Sequence, residues 1–224
     1  MIRKTLLLVL AFVVLIVVFL FAYIKLFEKN ALKVSVGQSI KSYGHQKSAL
    51  LVIDIQEYTT GVCSEQAYYT KVSDSLIVKI NKAIDKAVAD SLPVIYVRSQ
   101  VTDPLINLIN NSMAPGSKGV GFDKRLKVVS DFIIPKQRQD AFSNPALDSM
   151  LISNQISSLY FTGLDLAHCV NSTIAAAINR KYTVTVIEDA VVSESDSMKI
   201  RLIKEFQLKN IRIINCSDFI TNNL

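Results

Sequence analysis

Residues 157–190, SSLYFTGLDLAHCVNSTIAAAINRKYTVTVIEDA, decide the fold of this chain. The apolar run at 157–163 predicts a buried strand, the segment at 169–182 a helix, and the β-branched run at 183–190 a second strand. A strand, a helix and a strand in this order are typical of a right-handed βαβ unit with parallel strands. This stretch therefore indicates an α/β protein.

The same alternation continues on both sides of this unit. Four further apolar runs predict strands: SALLVIDI (48–55), LPVIYVR (92–98), DFIIP (131–135) and IRIIN (211–215). Apolar residues at helical spacing, or a position between two strands, predict helices at 71–90, 144–154 and 193–208. Residues 103–129 hold several prolines and glycines and predict a long irregular connection with room for one helical turn. We therefore expect a three-layer α/β/α domain with a six-stranded, mostly parallel sheet.

The amino terminus is strongly apolar, and residues 5–24 contain no charged side chain. About 20 helical residues span the roughly 30 Å of a bilayer's hydrocarbon layer, so this segment predicts one transmembrane helix before the domain. A cleaved signal peptide is the alternative, but the run is longer than usual and FAYIKLFEKN offers no small-x-small cleavage site. We expect a single-pass membrane protein with an anchor at 1–27, a tether at 28–47 and a domain at 48–224. The layout of a signal-anchor favours the non-cytoplasmic side for the domain.

Charge and cysteine content narrow the class of protein. The formal net charge is +6, but residues 1–33 carry five basic and one acidic side chain, which leaves +2 for the rest. Lysines beside the anchor suit anionic lipid headgroups, whereas no basic stripe on the domain suggests a nucleic acid as partner. The three cysteines, Cys63, Cys169 and Cys216, are an odd number and do not imply a disulfide framework.

Asp54, Lys136 and Cys169 each stand where a buried strand is predicted to end and a loop to begin. Open α/β sheets gather their chemistry at the carboxyl ends of the strands, so the three side chains could meet in one crevice. Cys169 also begins a predicted helix, whose positive end is expected to lower the pKa of the thiol. Taken singly, the three are also compatible with a turn cap, a solvated lysine and a small buried hydrophobe. As a set they indicate thiol catalysis, whereas Cys63 and Cys216 are interpreted as structural.

The chain resembles the isochorismatase-like cysteine hydrolases, a superfamily that includes nicotinamidases and N-carbamoylsarcosine amidase. Three motifs in the same order carry the resemblance: ALLVIDIQ (49–56), APGSKGVGF followed by DFIIPKQRQDAFSNPAL (114–147), and TGLDLAHCVNSTIAAAINRKYTVTVIEDAVVS (162–193). The resemblance covers roughly residues 48–216 and implies a hydrolase domain there.

The resemblance also implies roles for individual residues. Asp54 would be the general acid/base, Lys136 the cation that holds Asp54 ionised, and Cys169 the nucleophile. A cis peptide bond would lie between Leu164 and Asp165, and the amides of Asp165 and Cys169 would form the oxyanion hole. Asp165 departs from the small or neutral residue that the family pattern leads us to expect at this position.

Four further residues are candidates for substrate binding. Arg98 ends a predicted strand, where a guanidinium could bind a substrate carboxylate, although an exposed arginine at a strand end is an equally good interpretation. Gln56 and Phe142 correspond to pocket-edge positions of the family pattern, but a phenylalanine at core spacing also fits packing. His168, next to the nucleophile, either lines the pocket or faces solvent.

Metal and cofactor sites are not expected. Nicotinamidases carry metal-binding histidines after the second strand, whereas YVRSQVTDPLINLI contains none, so we expect no metal ion. Thiol-based acyl transfer needs no redox cofactor.

The function expected from this resemblance is a membrane-anchored cysteine hydrolase that cleaves a C–N bond of a small amide or carbamoyl compound through a thioester. Two alternatives remain open: isochorismatase-type hydrolysis of a vinyl ether, which does not rely on the cysteine, and a tethered binding protein without turnover. Relatives often assemble, so a homo-oligomer is compatible with the resemblance.

Overall fold

The computed structural model describes residues 2–221 and contains six strands in one sheet. The strands are β1 (Lys47–Ile53), β2 (Val94–Ser99), β3 (Ile133–Lys136), β4 (Ile156–Gly163), β5 (Thr183–Val191) and β6 (Arg212–Ile214). Their order is β3-β2-β1-β4-β5-β6, and every neighbouring pair is parallel. This confirms the predicted six-stranded parallel sheet.

Seven α-helices complete the described chain. They are α1 (Ile2–Ala31), α2 (Ala67–Ala89), α3 (Pro104–Ile109), α4 (Pro145–Ser153), α5 (Cys169–Asn179), α6 (Asp196–Leu208) and α7 (Cys216–Thr221). Short 3-10 turns lie at Lys118–Val120 and Ala141–Ser143. The predicted irregular connection at 103–129 thus contains α3 and one of these turns, and α7 is an element that the sequence patterns did not predict.

The sheet separates two apolar cores, which gives the predicted three layers. Side chains of α4, α5 and α6 pack on one face of the sheet, and those of α2 and α7 pack on the other. The central strand β1 is buried on both faces, since residues 49–53 are at most 1% exposed. Burial on both sides explains why this strand appears in the sequence as a continuous apolar run rather than an alternating one.

The order of the strands locates the crevice. The chain winds outward from β1 in one direction through β2 and β3, and in the other through β4, β5 and β6. The winding reverses between β1 and β4, and in open α/β sheets ligands bind at the carboxyl ends of the strands beside such a reversal. Gly163 makes the close pairing there possible, because at φ 111° it adopts a conformation that side chains disfavour.

Helix α1 is the one helix among residues 2–221 that is long and apolar enough to cross a membrane. It continues to Ala31, four residues beyond the predicted end of the anchor at residue 27. The segment that follows is irregular in backbone but bound to the domain: the Ser35 amide donates to Asp140 Oδ2 at 2.7 Å, and the Ile40 amide donates to the Arg180 carbonyl at 2.9 Å. The boundaries of anchor, tether and domain stay a prediction.

Candidate active site

Asp54, Lys136 and Cys169 meet at the carboxyl edge of the sheet. Lys136 Nζ lies 2.8 Å from Asp54 Oδ2 and 3.1 Å from Cys169 Sγ. Asp54 directly follows β1, Lys136 ends β3, and Cys169 begins α5. The side chain of Lys136 is 0% exposed and that of Asp54 4% exposed, so the ion pair is shielded from water. The structure therefore brings the three residues into contact, while their catalytic roles stay a prediction.

Ser99 is a fourth member of this cluster and is not among the residues predicted from the sequence. Its hydroxyl accepts a hydrogen bond from Lys136 Nζ at 2.7 Å and lies 3.2 Å from Asp54 Oδ1. Ser99 ends β2 and is paired in register with Lys136 of β3. The sequence does contain a signal for Ser99. It directly follows Arg98 at the end of a predicted strand, and because side chains alternate between the two faces of a sheet, Ser99 and Arg98 lie on opposite faces.

Gln56 holds Ser99 in place. Its Oε1 accepts from the Ser99 amide at 2.8 Å, and its Nε2 donates to the carbonyls of Ser99 and Val120, each at 3.0 Å. Both donors of the Gln56 side chain are thus used within the protein, and the residue is fully buried. Gln56 therefore holds the backbone of Ser99 in position beside the cluster. Its predicted contact with substrate stays a prediction.

The turn after β1 orients Asp54. The backbone of Asp54 has φ 55°, a left-handed conformation that aspartate and asparagine tolerate better than most residues. Its amide donates to the Val97 carbonyl at 2.9 Å, and its carbonyl accepts from Thr59 Oγ1 at 2.6 Å. These bonds fix the backbone on both sides of the carboxylate, so the side chain is directed toward Lys136.

The electrostatics of the cluster correct one expectation from the sequence. Burial and then the charge of Asp54 raise the pKa of the Cys169 thiol to about 12, although Lys136 acts in the opposite direction. The predicted lowering by the helix terminus is therefore wrong, because desolvation and a neighbouring carboxylate both disfavour the thiolate. Burial alone would lower the pKa of Lys136, but the negative charge of Asp54 outweighs this effect and raises that pKa. The resting cluster thus holds an ammonium ion and a protonated thiol.

The backbone before Cys169 provides two free amides. The peptide bond between Leu164 and Asp165 is cis, as the resemblance implies. Within residues 2–221, neither the Asp165 amide nor the Cys169 amide donates a hydrogen bond. Such unpaired donors beside a nucleophile suit the oxygen of a tetrahedral intermediate.

The carboxylate of Asp165 is fully occupied by protein donors. It accepts hydrogen bonds from the Tyr69 hydroxyl, the Ala167 amide and, at 3.0 Å, the Ser193 hydroxyl. Burial, followed by the hydrogen bond to Asp165, raises the pKa of Tyr69, so the phenol keeps its proton and remains a donor. The unexpected acidic residue therefore anchors the loop that carries the two free amides.

The other predicted substrate-binding residues lie in different surroundings. Arg98 is half-buried on the face of the sheet opposite Ser99, and its Nε has no hydrogen-bond partner among the described residues. Phe142 is 3% exposed and packs under the Arg180 guanidinium, 4.5 Å from the ring centroid. His168 has a side chain 48% exposed. Binding roles for these three stay predictions.

No group of three or more His, Cys, Asp or Glu residues within 2–221 is arranged to hold a metal ion. The expectation that the protein works without a metal or cofactor stays a prediction.

Comparison with known proteins agrees with this fold. The family model described as Isochorismatase domain matches residues 48–217. Ureidoacrylate amidohydrolase RutB of Klebsiella pneumoniae (strain 342) is 27% identical over an alignment 180 residues long, which covers 66% of this chain and 75% of that protein.

Solved structures have the same architecture. N-carbamoylsarcosine amidase from Thermoplasma acidophilum is 26% identical, with a TM-score of 0.64 over 76% of this chain and 97% of that one. An isochorismatase-like hydrolase from Alkaliphilus metalliredigens is 21% identical, with a TM-score of 0.67 over 78% of this chain and 97% of that one. At the lower identity the similarity concerns the fold alone.

Proposed function

Because the chain belongs to the isochorismatase family, we propose that it is a membrane-anchored cysteine hydrolase cleaving a C–N bond of a small amide or carbamoyl compound. The family membership agrees with the resemblance carried by the three sequence motifs. The names of two relatives, ureidoacrylate amidohydrolase and N-carbamoylsarcosine amidase, describe hydrolysis of this bond type and support the substrate class.

The observation that carries the proposal is the contact of one buried lysine with a carboxylate and a thiol. Lys136 Nζ bonds Asp54 Oδ2 at 2.8 Å and Cys169 Sγ at 3.1 Å. The charge of Asp54 also favours the protonated thiol. A thiol whose pKa is raised needs an adjacent base at the moment of attack, and Asp54 is in reach to supply it.

The first half of the reaction forms a thioester. Asp54 takes the thiol proton while Cys169 Sγ attacks the carbonyl carbon of the substrate, and the carbonyl oxygen becomes an oxyanion facing the amides of Asp165 and Cys169. Asp54 then gives the proton to the substrate nitrogen, the C–N bond breaks, and ammonia or an amine leaves. Whenever Asp54 is ionised, Lys136 balances its charge, because a lone buried carboxylate is unfavourable.

The second half returns the enzyme to its resting state. Asp54 takes a proton from water, the hydroxide oxygen attacks the thioester carbon, and the C–S bond breaks. The proton held by Asp54 passes to the Cys169 sulfur, and the acid product leaves. No electrons are exchanged with an external group, so the chain's own residues are sufficient.

Helix α1 supports the membrane part of the proposal. Its uncharged residues 5–24 would cross the bilayer, with the domain on the non-cytoplasmic side. Protease added outside intact cells tests the side, because an external domain would be digested and a cytoplasmic one protected.

A screen for ammonia release tests the enzymatic part. The full chain in detergent is incubated with a panel of small amides and carbamoyl compounds, beside the Cys169→Ala variant. Cys63→Ala is the matched control, because Cys63 is a free thiol outside the cluster. We expect turnover by the wild type and by Cys63→Ala only. Full turnover by Cys169→Ala would instead favour a thiol-independent route such as vinyl ether hydrolysis.

A further inference from the structure

Helix α3 exposes an apolar surface at the catalytic edge of the sheet. Leu108 is 84% exposed and Ile109 59% exposed, Leu105 is exposed beside them, and none of the helix's residues is buried. Exposed leucine and isoleucine side chains grouped on one short helix are unusual on a surface that meets only water.

Contacts with α1 place this surface beside the apolar amino-terminal helix. The Tyr23 hydroxyl donates to Asp103 Oδ2, and Asp103 Oδ1 caps α3 by accepting from the amides of Leu105 and Ile106, each at 3.0 Å. Further along α1, the Ala31 carbonyl accepts from the Gln139 amide at 2.9 Å. The last third of α1 therefore lies on the loops that follow β2 and β3.

The half-buried positions of α1 show how far the domain reaches along it. They recur at helical spacing on one face and are Leu20, Tyr23, Ile24, Phe27, Asn30 and Ala31. Three of them, Leu20, Tyr23 and Ile24, belong to the uncharged run that ends at residue 24. The domain therefore contacts the last few residues of that run. α3 is therefore at the depth where a membrane helix leaves the hydrocarbon layer.

Charges around this contact suit an anionic membrane surface. Lys25 and Lys29 lie on α1 immediately after the apolar run, and Lys33 follows the helix. Arg138 lies in the loop after β3, next to Gln139, which contacts the end of α1. Basic side chains beside exposed apolar ones are the combination by which proteins rest on anionic bilayers.

We propose that α3 lies in the headgroup layer of the bilayer that α1 enters, with Leu105, Leu108 and Ile109 against the lipid. The inference rests on the membrane anchoring in the proposed function. It adds that the carboxyl edge of the sheet faces the membrane, because Asp103 lies only four residues after Ser99 of the catalytic cluster.

Single tryptophans test this arrangement, because the sequence contains none. The full chain is reconstituted in vesicles of anionic lipid with or without brominated acyl chains, and emission is compared for Leu108→Trp and Leu208→Trp. Both leucines are 84% exposed, but Leu208 ends α6 and therefore lies at the amino-terminal edge of the sheet, which makes it the matched control. Phe12→Trp reports on α1 itself.

The three variants separate the possible outcomes. Interfacial helices bury their apolar face about 5–10 Å into the headgroup boundary, so we expect about a twofold loss of Leu108→Trp emission in brominated vesicles and none for Leu208→Trp. Quenching of Phe12→Trp without quenching of Leu108→Trp would overturn the placement of α3 and leave the anchor intact. An unquenched Phe12→Trp would overturn the anchor, and the placement of α3 with it.

Discussion

Replacing Asp54 by asparagine is expected to separate the reactivity of the Cys169 thiol from its use in turnover. Asparagine keeps the size of the side chain and tolerates the left-handed backbone at φ 55°, so the turn after β1 is retained. The change removes one negative charge from a cluster that is almost completely buried. Lys136 then remains as the only charged neighbour of the thiol within the cluster.

The size of the effect follows from the charges around the sulfur. Because burial and the charge of Asp54 raise the pKa of Cys169, very little of the thiol is ionised at pH 8. Replacing Asp54 removes one cause of the raised pKa and leaves the opposing effect of Lys136, so the pKa of the thiol falls. Each unit by which this pKa falls gives about tenfold more thiolate. Turnover moves in the other direction, because loss of a general base lowers catalysis by about 10²–10⁴-fold.

The assay measures both quantities on the same protein. Iodoacetamide labelling of Cys169 is followed by peptide mass spectrometry from about pH 6 to about pH 10, with Cys63 as an internal control, and ammonia release is measured in parallel. We expect faster labelling of Cys169 at neutral pH and an almost complete loss of turnover in Asp54→Asn. Labelling that slows or stays the same, or turnover that persists, would refute the proposed role of Asp54.

Three further substitutions test the supports of the site. Lys136→Met should lower the free energy of unfolding by about 3–5 kcal/mol, because it leaves the buried Asp54 carboxylate unpaired. Urea denaturation of the full chain in detergent measures this loss, and an unchanged midpoint would contradict it. Tyr69→Phe should lower the free energy of unfolding by about 1–3 kcal/mol in the same assay and change kcat more than KM, because Asp165 loses a buried hydrogen-bond donor. A change in KM alone would argue against a role of Tyr69 in positioning the loop that carries the Asp165 and Cys169 amides. Gly163→Ala should yield no folded protein by circular dichroism, because a side chain at φ 111° would collide with the β1 backbone; a native spectrum would show that the strands can separate there.

The sheet and the contact of Asp54, Lys136 and Cys169 could be predicted from the sequence because both depend on local signals. The central strand is a continuous apolar run since it is buried on both faces, and α2 shows helical spacing of apolar residues. Asp54, Lys136 and Cys169 stand out because polar residues that follow buried strands lie at the same edge of a parallel sheet.

Contacts between distant segments could not be predicted in this way. Tyr69 and Ser193 meet Asp165 from α2 and from the loop after β5, and nothing in their own segments marks them as partners of the site. The pKa of Cys169 depends on burial and on a charge contributed by another strand, so the helix start alone gave the wrong direction.

The helix α3 is a different case, because its signals were present in the sequence. Asp103 caps it and Pro104 occupies its first turn, a combination typical of a helix start. The surrounding prolines and glycines favour an irregular connection, so the sequence predicts no more than one helical turn in this segment.

Trapping of an acyl group on Cys169 tests the central claim most directly. The full chain is mixed with an amide that it hydrolyses, quenched in acid and measured by intact mass, and the modified peptide is then sequenced. A thioester mechanism predicts an added mass equal to the acyl part of the substrate on Cys169, and neither adduct nor ammonia release in Cys169→Ala. Hydrolysis that proceeds at the same rate in Cys169→Ala, with the thiol of the wild type never modified, would contradict it.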